Sequence, residues 1–395
     1  MKSSATVVVL LLGSTALGVG PRYTVIDLDT LGGFLSSGLA VSEGGDAAGV
    51  SEISDSQFHA FRHDGTAPTD LGTLPMRLES FATSFAGEDA VVITYTLGMT
   101  TTTTFTVDPS GASVTAGTFL ARGANGAGDL VGNLNTTLPS GWLVTHACWY
   151  SAGSVSDLGT LGGANSRAFD INAGGLIVGS SELATGLDTH AASWVNGSGT
   201  DLGTLGGARS QATAVNDAGQ AAGYAENAAG EPRACVFVLS PNGSPESITD
   251  LGVLPGARSS YANGINANGD VVGVSNARAF IHTAGQMEDL NALVPAGAGW
   301  VLERAHAIND AGRIVGFGIH NGQPRGFLLI PEVCAGDLDG DQNVGGGDLA
   351  LLLSAWGQAG PGDLSGDGTT DGMDLALLLA AWGPCPASAH KSTRP

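Results

Sequence analysis

The residues best placed to do chemistry lie near the C-terminus. Between Cys334 and Cys385 there are eight aspartates and no lysine or arginine. They fall in two copies, GDLDGDQNVGGGDLALLLSAWG and GDLSGDGTTDGMDLALLLAAWG, with starts 26 residues apart. In the first, Asp337, Asp339 and Asp341 occupy positions 1, 3 and 5 of a twelve-residue loop. Asn343 offers its carbonyl at position 7, Gly345 at position 9 offers only water, and Asp348 closes the loop at position 12. In the second, the same places hold Asp363, Ser365, Asp367, Thr369, Asp371 and Asp374. Calcium takes six to eight hard oxygens around a tight turn, and this spacing wraps them round one ion. Two Ca2+ ions are expected, one per loop. After each loop, Leu349, Leu352, Leu353 and Trp356, then Leu375, Leu378, Leu379 and Trp382, recur at helical spacing. Those apolar faces are expected to pack together. A flexible acidic tail would not carry two apolar helices in the same phase.

The rest of the chain is repetitive. DLGTLGG occurs at Asp157 and Asp201, with related strings at Asp27, Asp70, Asp250 and Asp289 and a worn copy at Thr115–Leu120, a period of about 44 residues. A second marker, Asn-x-x-Gly-x-x-x-Gly, runs in phase with it at Asn125, Asn172, Asn216, Asn266 and Asn309, with Ser42 in the first unit. The pattern predicts a tight hairpin, in which Asn bonds its own turn and the first Gly supplies a positive φ. A third strand follows (His59-Ala60-Phe61, Arg278-Ala279-Phe280), and DLGTL is expected to be a fourth. Four short strands per period, repeated about seven times, predict an all-β chain folded as a seven-bladed β-propeller. A small α-helical domain would follow it. The chain opens on a fourth-type strand at Tyr23 and ends the repeats on a third-type strand near Arg325–Ile330. These halves should complete one blade and close the ring, which an open β-solenoid would not require.

Other residues invite chemical readings that the repeat argues against. The aspartates of DLGTL recur once per unit at one register, whereas an active site draws different residues from different places. They are expected to tie strand ends through backbone bonds. His59, His146 and His190 share a register that holds Arg233, Arg278 and Arg325 in later units. A hydrogen-bonding position tolerates that exchange and a metal ligand does not. The sequence holds no serine nucleophile elbow, HExxH or phosphate loop, so no catalytic residue is assigned. Trp142, Trp149, Trp194 and Trp300 suit either sugar stacking or a core.

Composition narrows the partners. The 395 residues carry 15 Lys+Arg against 37 Asp+Glu, a formal charge of −22, which repels nucleic acid and anionic membranes. Lys2, the apolar run Val7–Leu12 and the small residues at Ala16-Leu17-Gly18 read as an export signal over residues 1–20, so the protein is expected to be secreted. Residues 21–333 form the repeat domain, 334–386 the acidic module and 387–395 a disordered tail. Export permits disulfides. Cys334 and Cys385 bracket the module and should pair if its halves pack about a two-fold. Cys148 and Cys235, in third-type strands of non-neighbouring units, should be buried thiols.

These motifs carry two family resemblances. The His-Ala-Phe strand with DLGTLGG and Ile-Asn-x-x-Gly resembles the bacterial extracellular repeat family named HAF after that tripeptide, over roughly Tyr23 to Val333. It implies an exported β-repeat protein and no particular reaction. The paired loops, closed by Asp rather than Glu and with no helix before them, resemble the type I dockerin. That resemblance implies a calcium-dependent module that plugs secreted proteins into cohesin-bearing scaffolds for polysaccharide breakdown. Gln342 stands where Gly is usual, and Gly346-Gly347 and Gly372-Met373 stand at the partner-recognition positions. The reading is a secreted, non-catalytic binding and display protein. Its module would engage a cohesin-like protein or the chain's own propeller, and its propeller face a glycan or protein. The rival is a secreted glycan hydrolase or lyase, because dockerins usually accompany such catalysts.

Overall fold

A computed structural model describes residues 23–54, 57–72, 79–87, 90–97, 101–107, 113–137, 141–186, 188–332, 336–339 and 343–384. The export signal, Asp341, Gln342, Cys334, Cys385 and the tail lie outside these residues. The chain divides into two compact units, one spanning Tyr23–Pro331 and one that includes Glu332 onward.

In the first unit a four-stranded antiparallel meander recurs. Gly32–Val41, Ala47–Ile53, Phe58–His63 and Pro68–Gly72 form one such sheet. The arrangement is propeller-like, but the expectation of seven separate blades is corrected. Five sheets of four strands stand alone among the described residues, and the remainder forms one eight-stranded sheet. The merger occurs where Thr189 of Thr189–Val195 bridges Arg209 of Gly206–Val215 in parallel, tying two meanders edge to edge. DLGTL is likewise not a fourth strand. Fourth strands such as Ser154–Asp157, Ser198–Asp201, Pro245–Asp250 and Gln286–Asp289 end on its Asp, Pro68–Gly72 runs two residues further, and the rest of the string is the exit turn. There the Asp201 carboxylate accepts the Gly203 N–H at 2.8 Å, and Gly203 has a φ of 76°.

Tyr23–Asp27 pairs antiparallel with Gln323–Pro331, from Tyr23 opposite Pro331 to Asp27 opposite Phe327. The first residues of the unit therefore complete its last sheet, and the ring closes on its own ends. Third strands supply the core. Phe61, Phe280 and Phe327 are fully buried at one register, and Cys148 and Cys235 occupy that same register as buried thiols. Each such phenyl ring contributes about 1.5–3 kcal/mol by leaving water. Burial pushes the Cys148 thiol up to about 12, with the charge of Asp157 adding to it, and raises Cys235 as well.

The Asn marker does more than close its own hairpin. Asn216 Oδ1 accepts the Ala218 and Gln220 N–H groups at 3.1 and 3.0 Å, as the sequence predicts. Its Nδ2 also donates to the carbonyl of Asn266, the marker residue of the next meander, at 2.9 Å. The same bond runs from Asn125 to Asn172, Asn172 to Asn216 and Asn266 to Asn309, at 3.1–3.3 Å. The last runs from Asn309 back to Ser42 at 2.8 Å, returning to the first sheet. The second Gly of the marker has a separate cause. A Cβ on Gly223 would overlap the Gln211 carbonyl oxygen, because a bulge at Thr213 presses the first strand against the second.

Candidate metal centre

The second unit contains two nine-residue helices among its described residues, α1 (Gly346–Ser354) and α2 (Gly372–Ala380). Each is preceded by one acidic loop. Both loops close on the carboxylate at position 12. Asp348 Oδ1 accepts the N–H groups of Leu338 and Asp339 at 2.6 and 3.1 Å, and its Oδ2 accepts that of Gly345 at 2.7 Å. Asp374 repeats the pattern, with Oδ1 accepting from Ser365 and Oδ2 from Asp371, both at 2.7 Å. Position 3 and position 9 therefore donate to position 12 in each copy. Asp348 and Asp374 are 1% and 0% exposed. Burial works against the charge on Asp348, but the N–H groups of Gly345, Asp339 and Leu338 outweigh it and hold its pKa below the ordinary carboxylate range. The Asp371 N–H does the same for Asp374 against burial, helped by Ser365.

Asp337, Asp339 and Asp348 come together, each with an oxygen within 4.8 Å of the others. Asn343 follows in a two-residue strand, with its side chain exposed. In the second loop, Asp363 shapes the turn. Its Oδ1 accepts from Gly366 at 2.8 Å and Asp367 at 3.1 Å, and its Oδ2 from Gly368 at 2.8 Å. Ser365 Oγ lies 3.3 Å from the same carboxylate, and Asp367 accepts the Thr369 N–H at 3.0 Å. Asp371 caps α2 by accepting the Met373 N–H at 2.7 Å. All the groups offered are hard oxygens, the donor set that suits calcium rather than a softer metal.

The two halves exchange backbone bonds as a pseudo-two-fold pair. Asn343–Val344 pairs with Gly383–Pro384, beyond α2, while Thr370 exchanges bonds with Gly357 and Gln358, beyond α1, at 2.8 Å. Val344, Leu352 and Leu378 form a small buried core with Leu338, Leu349, Leu364 and Leu375 against it. The expected helix faces are corrected in part. Leu353, Leu379, Trp356 and Trp382 are about half exposed, because helices of nine residues turn only one stripe inward.

In the Tyr23–Pro331 unit, the repeat aspartates and histidines sit where a structural role places them. His59, His146 and His190 lie 2.8–3.0 Å from Asp70, Asp157 and Asp201, and Arg278 pairs with Asp289 at the same register. The exchange of His for Arg keeps a donor opposite that carboxylate at Arg278, whereas Arg233 holds Glu231 and Arg325 donates to the Phe34 carbonyl at 2.6 Å. Trp194 is buried core, Trp300 stacks on His320 at 4.5 Å, and Trp142 is 74% exposed.

No motif in the sequence points to the axial channel, a cavity of about 490 Å³. First strands carry a bulge, three residues before the marker at Leu39, Arg122, Phe169, Thr213, Asn263 and His306 and also at Thr83 in the unit without a marker, and each of these residues lines the channel. The signal lies in variability, since this position holds six residue types over seven units while its neighbours stay small. Asp170 departs from that rule as an acid where the other units carry Ala, Gly or Ser. It accepts the Val215 and Ile171 N–H groups at 2.9 Å, and burial raises its pKa to about 7 against those bonds. His306 Nδ1 donates to Gly38 O at 2.8 Å, and burial pushes the ring's pKa down to about 4. The ring is therefore neutral at ordinary pH, with Nδ1–H donating to that carbonyl.

No protein-family model matches the chain, and no curated protein matches it in sequence. Solved structures similar to it include TolB from Acinetobacter baumannii, at 13% identity and a TM-score of 0.41, with 72% of this chain and 63% of that chain covered. A puromycin hydrolase is similar at 12% identity and a TM-score of 0.44, with 77% and 54% covered. An acylaminoacyl peptidase from Pyrococcus horikoshii is similar at 9% identity and a TM-score of 0.46, with 75% and 51% covered. The chain thus spans between about half and two-thirds of the length of these proteins. The propeller-like architecture itself rests on the strand order and the ring of inter-sheet bonds.

Proposed function

We propose that this is a secreted, non-catalytic binding protein whose C-terminal unit is a calcium-stabilised, dockerin-like attachment module. The observation that carries the reading is the pair Asp348 and Asp374. Two buried carboxylates stand in a segment with no lysine or arginine between Cys334 and Cys385. Backbone N–H groups hold both carboxylates ionised, so each loop gathers negative charge with no cation from its own segment to balance it. Bound calcium would supply the missing positive charge. Asp337, Asp339, Asp341, Asn343 and Asp348 would hold one ion, and Asp363, Ser365, Asp367, Thr369, Asp371 and Asp374 the other. Attachment to a cohesin-like partner is part of the proposal, as is linkage to polysaccharide breakdown. The propeller-like unit would present the binding surface.

Calorimetric titration of the full chain with calcium tests the metal reading, with two ions per chain expected. Asp348→Ala and Asp374→Ala should each remove one. A chain that takes up no calcium, or loses none on either substitution, would sink the assignment.

A further inference from the structure

The groove between the sheet of Leu120–Ala124 and the strand Gly162–Ile171 brings two arginines together and no acid. Arg122 and Arg167 line it with Thr118, Asn133, Asn135 and Thr145 around a volume of about 370 Å³. Elsewhere in this unit three arginines hold carboxylates, Arg62 with Asp46, Arg233 with Glu231 and Arg278 with Asp289, while Arg313 and Arg325 donate to the carbonyls of Gly45 and Phe34. Among the described residues neither Arg122 nor Arg167 holds a carboxylate. What sets this pair apart is that two such cations line one groove, in a chain of 15 basic and 37 acidic residues.

The geometry around them is built rather than incidental. Arg122 sits on the bulge, with its guanidinium 5.5 Å from the Phe169 ring centre. With the Asn133 amide turned so that its nitrogen donates to Gly132 O at 3.2 Å, its oxygen accepts from Arg122 Nε at 3.3 Å. That bond fixes the plane of the guanidinium and leaves its terminal nitrogens for a ligand. Asn135 accepts from the Thr145 hydroxyl at 3.4 Å, which leaves its amide nitrogen as a donor on the same wall. Partial desolvation, and after it the charge of Arg167, lowers the pKa of Arg122, so the two guanidinium groups lie near enough to repel.

The same groove recurs between Ser260–Ile265 and Trp300–Ile308, and it differs in the decisive residues. There Tyr261, Val274, Asn276 and Arg304 take the places of Leu120, Asn133, Asn135 and Arg167, and Glu303 stands beside Arg304 in a volume of about 340 Å³. The fold therefore supplies the concavity, and the Arg122 groove alone of the two lacks an acid.

We propose that the groove at Arg122 and Arg167 binds the carboxylate or sulfate group of an acidic sugar. Arginine's planar fork matches both groups bidentately. The threonine hydroxyls and asparagine amides offer partners for ring hydroxyls, and the volume suits one or two sugar rings, toward the small end of ligand pockets. The inference rests on reading the Tyr23–Pro331 unit as a binding module, and it does not depend on calcium.

The test is calorimetric titration of the calcium-loaded full chain with sodium glucuronate, sodium sulfate and glucose, at low and high sodium chloride. Glucuronate should bind and weaken several-fold in high salt, sulfate should compete with it, and glucose should not bind. Arg167→Gln should cost about tenfold in glucuronate affinity, the size of one charge-assisted contact. Without ligand the same variant should melt at the same or a higher temperature, because it removes a repulsion. A drop in melting temperature would instead assign Arg167 a structural role and overturn the proposal. So would glucuronate binding no tighter than glucose, or an affinity that Arg167→Gln leaves unchanged. A glucuronate-containing oligosaccharide should be recovered intact. Its cleavage would overturn the non-catalytic reading while leaving the groove assignment standing, so the two failures are distinguishable.

Discussion

Asn216 and Asp348 are both buried, and both gather backbone N–H groups of a loop, yet one is neutral and the other charged. Asn216 also has donors to give, and it spends them on the next sheet and on Gln220, so every polar atom it brings into the interior finds a partner within the chain. Asp348 can only accept. Its neighbours are other acids, and the residues around it offer no cation. The Asn216 turn is thus satisfied within the chain, whereas the Asp348 loop, on the calcium reading, would be completed only by charge from outside. The comparison teaches that burial of polar groups can make a fold self-sufficient or ligand-dependent, according to whether the group can both donate and accept.

The sharpest way to break that comparison is to remove calcium. EDTA should abolish the helical circular-dichroism signal of the C-terminal unit and its protease resistance, because helices of nine residues are marginal alone and the binding free energy of the ion is folding free energy. The β signal of the other unit should persist. Trp356 and Trp382 are about half exposed already, so their fluorescence should change less than the helicity does. Helicity that survives chelation would erase the contrast.

Next in size is ring closure. Deleting Tyr23–Leu31 removes the outer strand of the last sheet together with Leu28, which is 0% exposed. The loss of that ladder and side chain should lower the melting temperature by more than about 5 °C, and the exposed edge should promote association. Light scattering and a thermal melt check both. A monomeric deletion variant with an unchanged melt would show that the ends do not close the ring.

A single clasp should matter less. Asn216→Ala strands the N–H groups of Ala218 and Gln220 and a carbonyl on Asn266, at a cost of about 1–3 kcal/mol in denaturant unfolding. Asn242→Ala, at an exposed hairpin, should stay within about 0.5 kcal/mol. Equal effects at the two positions would mean that the bond to the next sheet adds nothing.

The smallest effect belongs to Asp170, the channel acid. Its carboxyl ionises near 7 in the folded chain and near 4 in the unfolded one, so the folded state holds the proton more tightly. Its contribution to stability is therefore full below about pH 4 and declines as pH rises through 7. Water reaching the channel screens the carboxylate, which limits the change to about 1 kcal/mol. Asp170→Asn should flatten that slope in melts taken between pH 5 and 8, and an unchanged slope would place the titration elsewhere.

The sequence alone determined the features that are local in the chain. Asn-x-x-Gly made its turn at Asn125, Asn172, Asn216, Asn266 and Asn309, because a side-chain acceptor and a positive φ are needed within four residues. The period and its two in-phase markers likewise announced a chain of short strands completed by its own first strand. The acidic loops stood out because ligand spacing is itself a local property. The tertiary structure decided what depends on neighbours distant in sequence. The merging of two meanders through Thr189 and Arg209 turns on a single bridge that no pattern encodes. The half-exposed Trp356 and Trp382 depend on how much surface a partner helix can cover. Arg122 and Arg167, unremarkable 45 residues apart, became a pair only when two sheets packed side by side and left no acid between them. Spacing fixes what a short stretch can do by itself, while packing fixes which stretches meet.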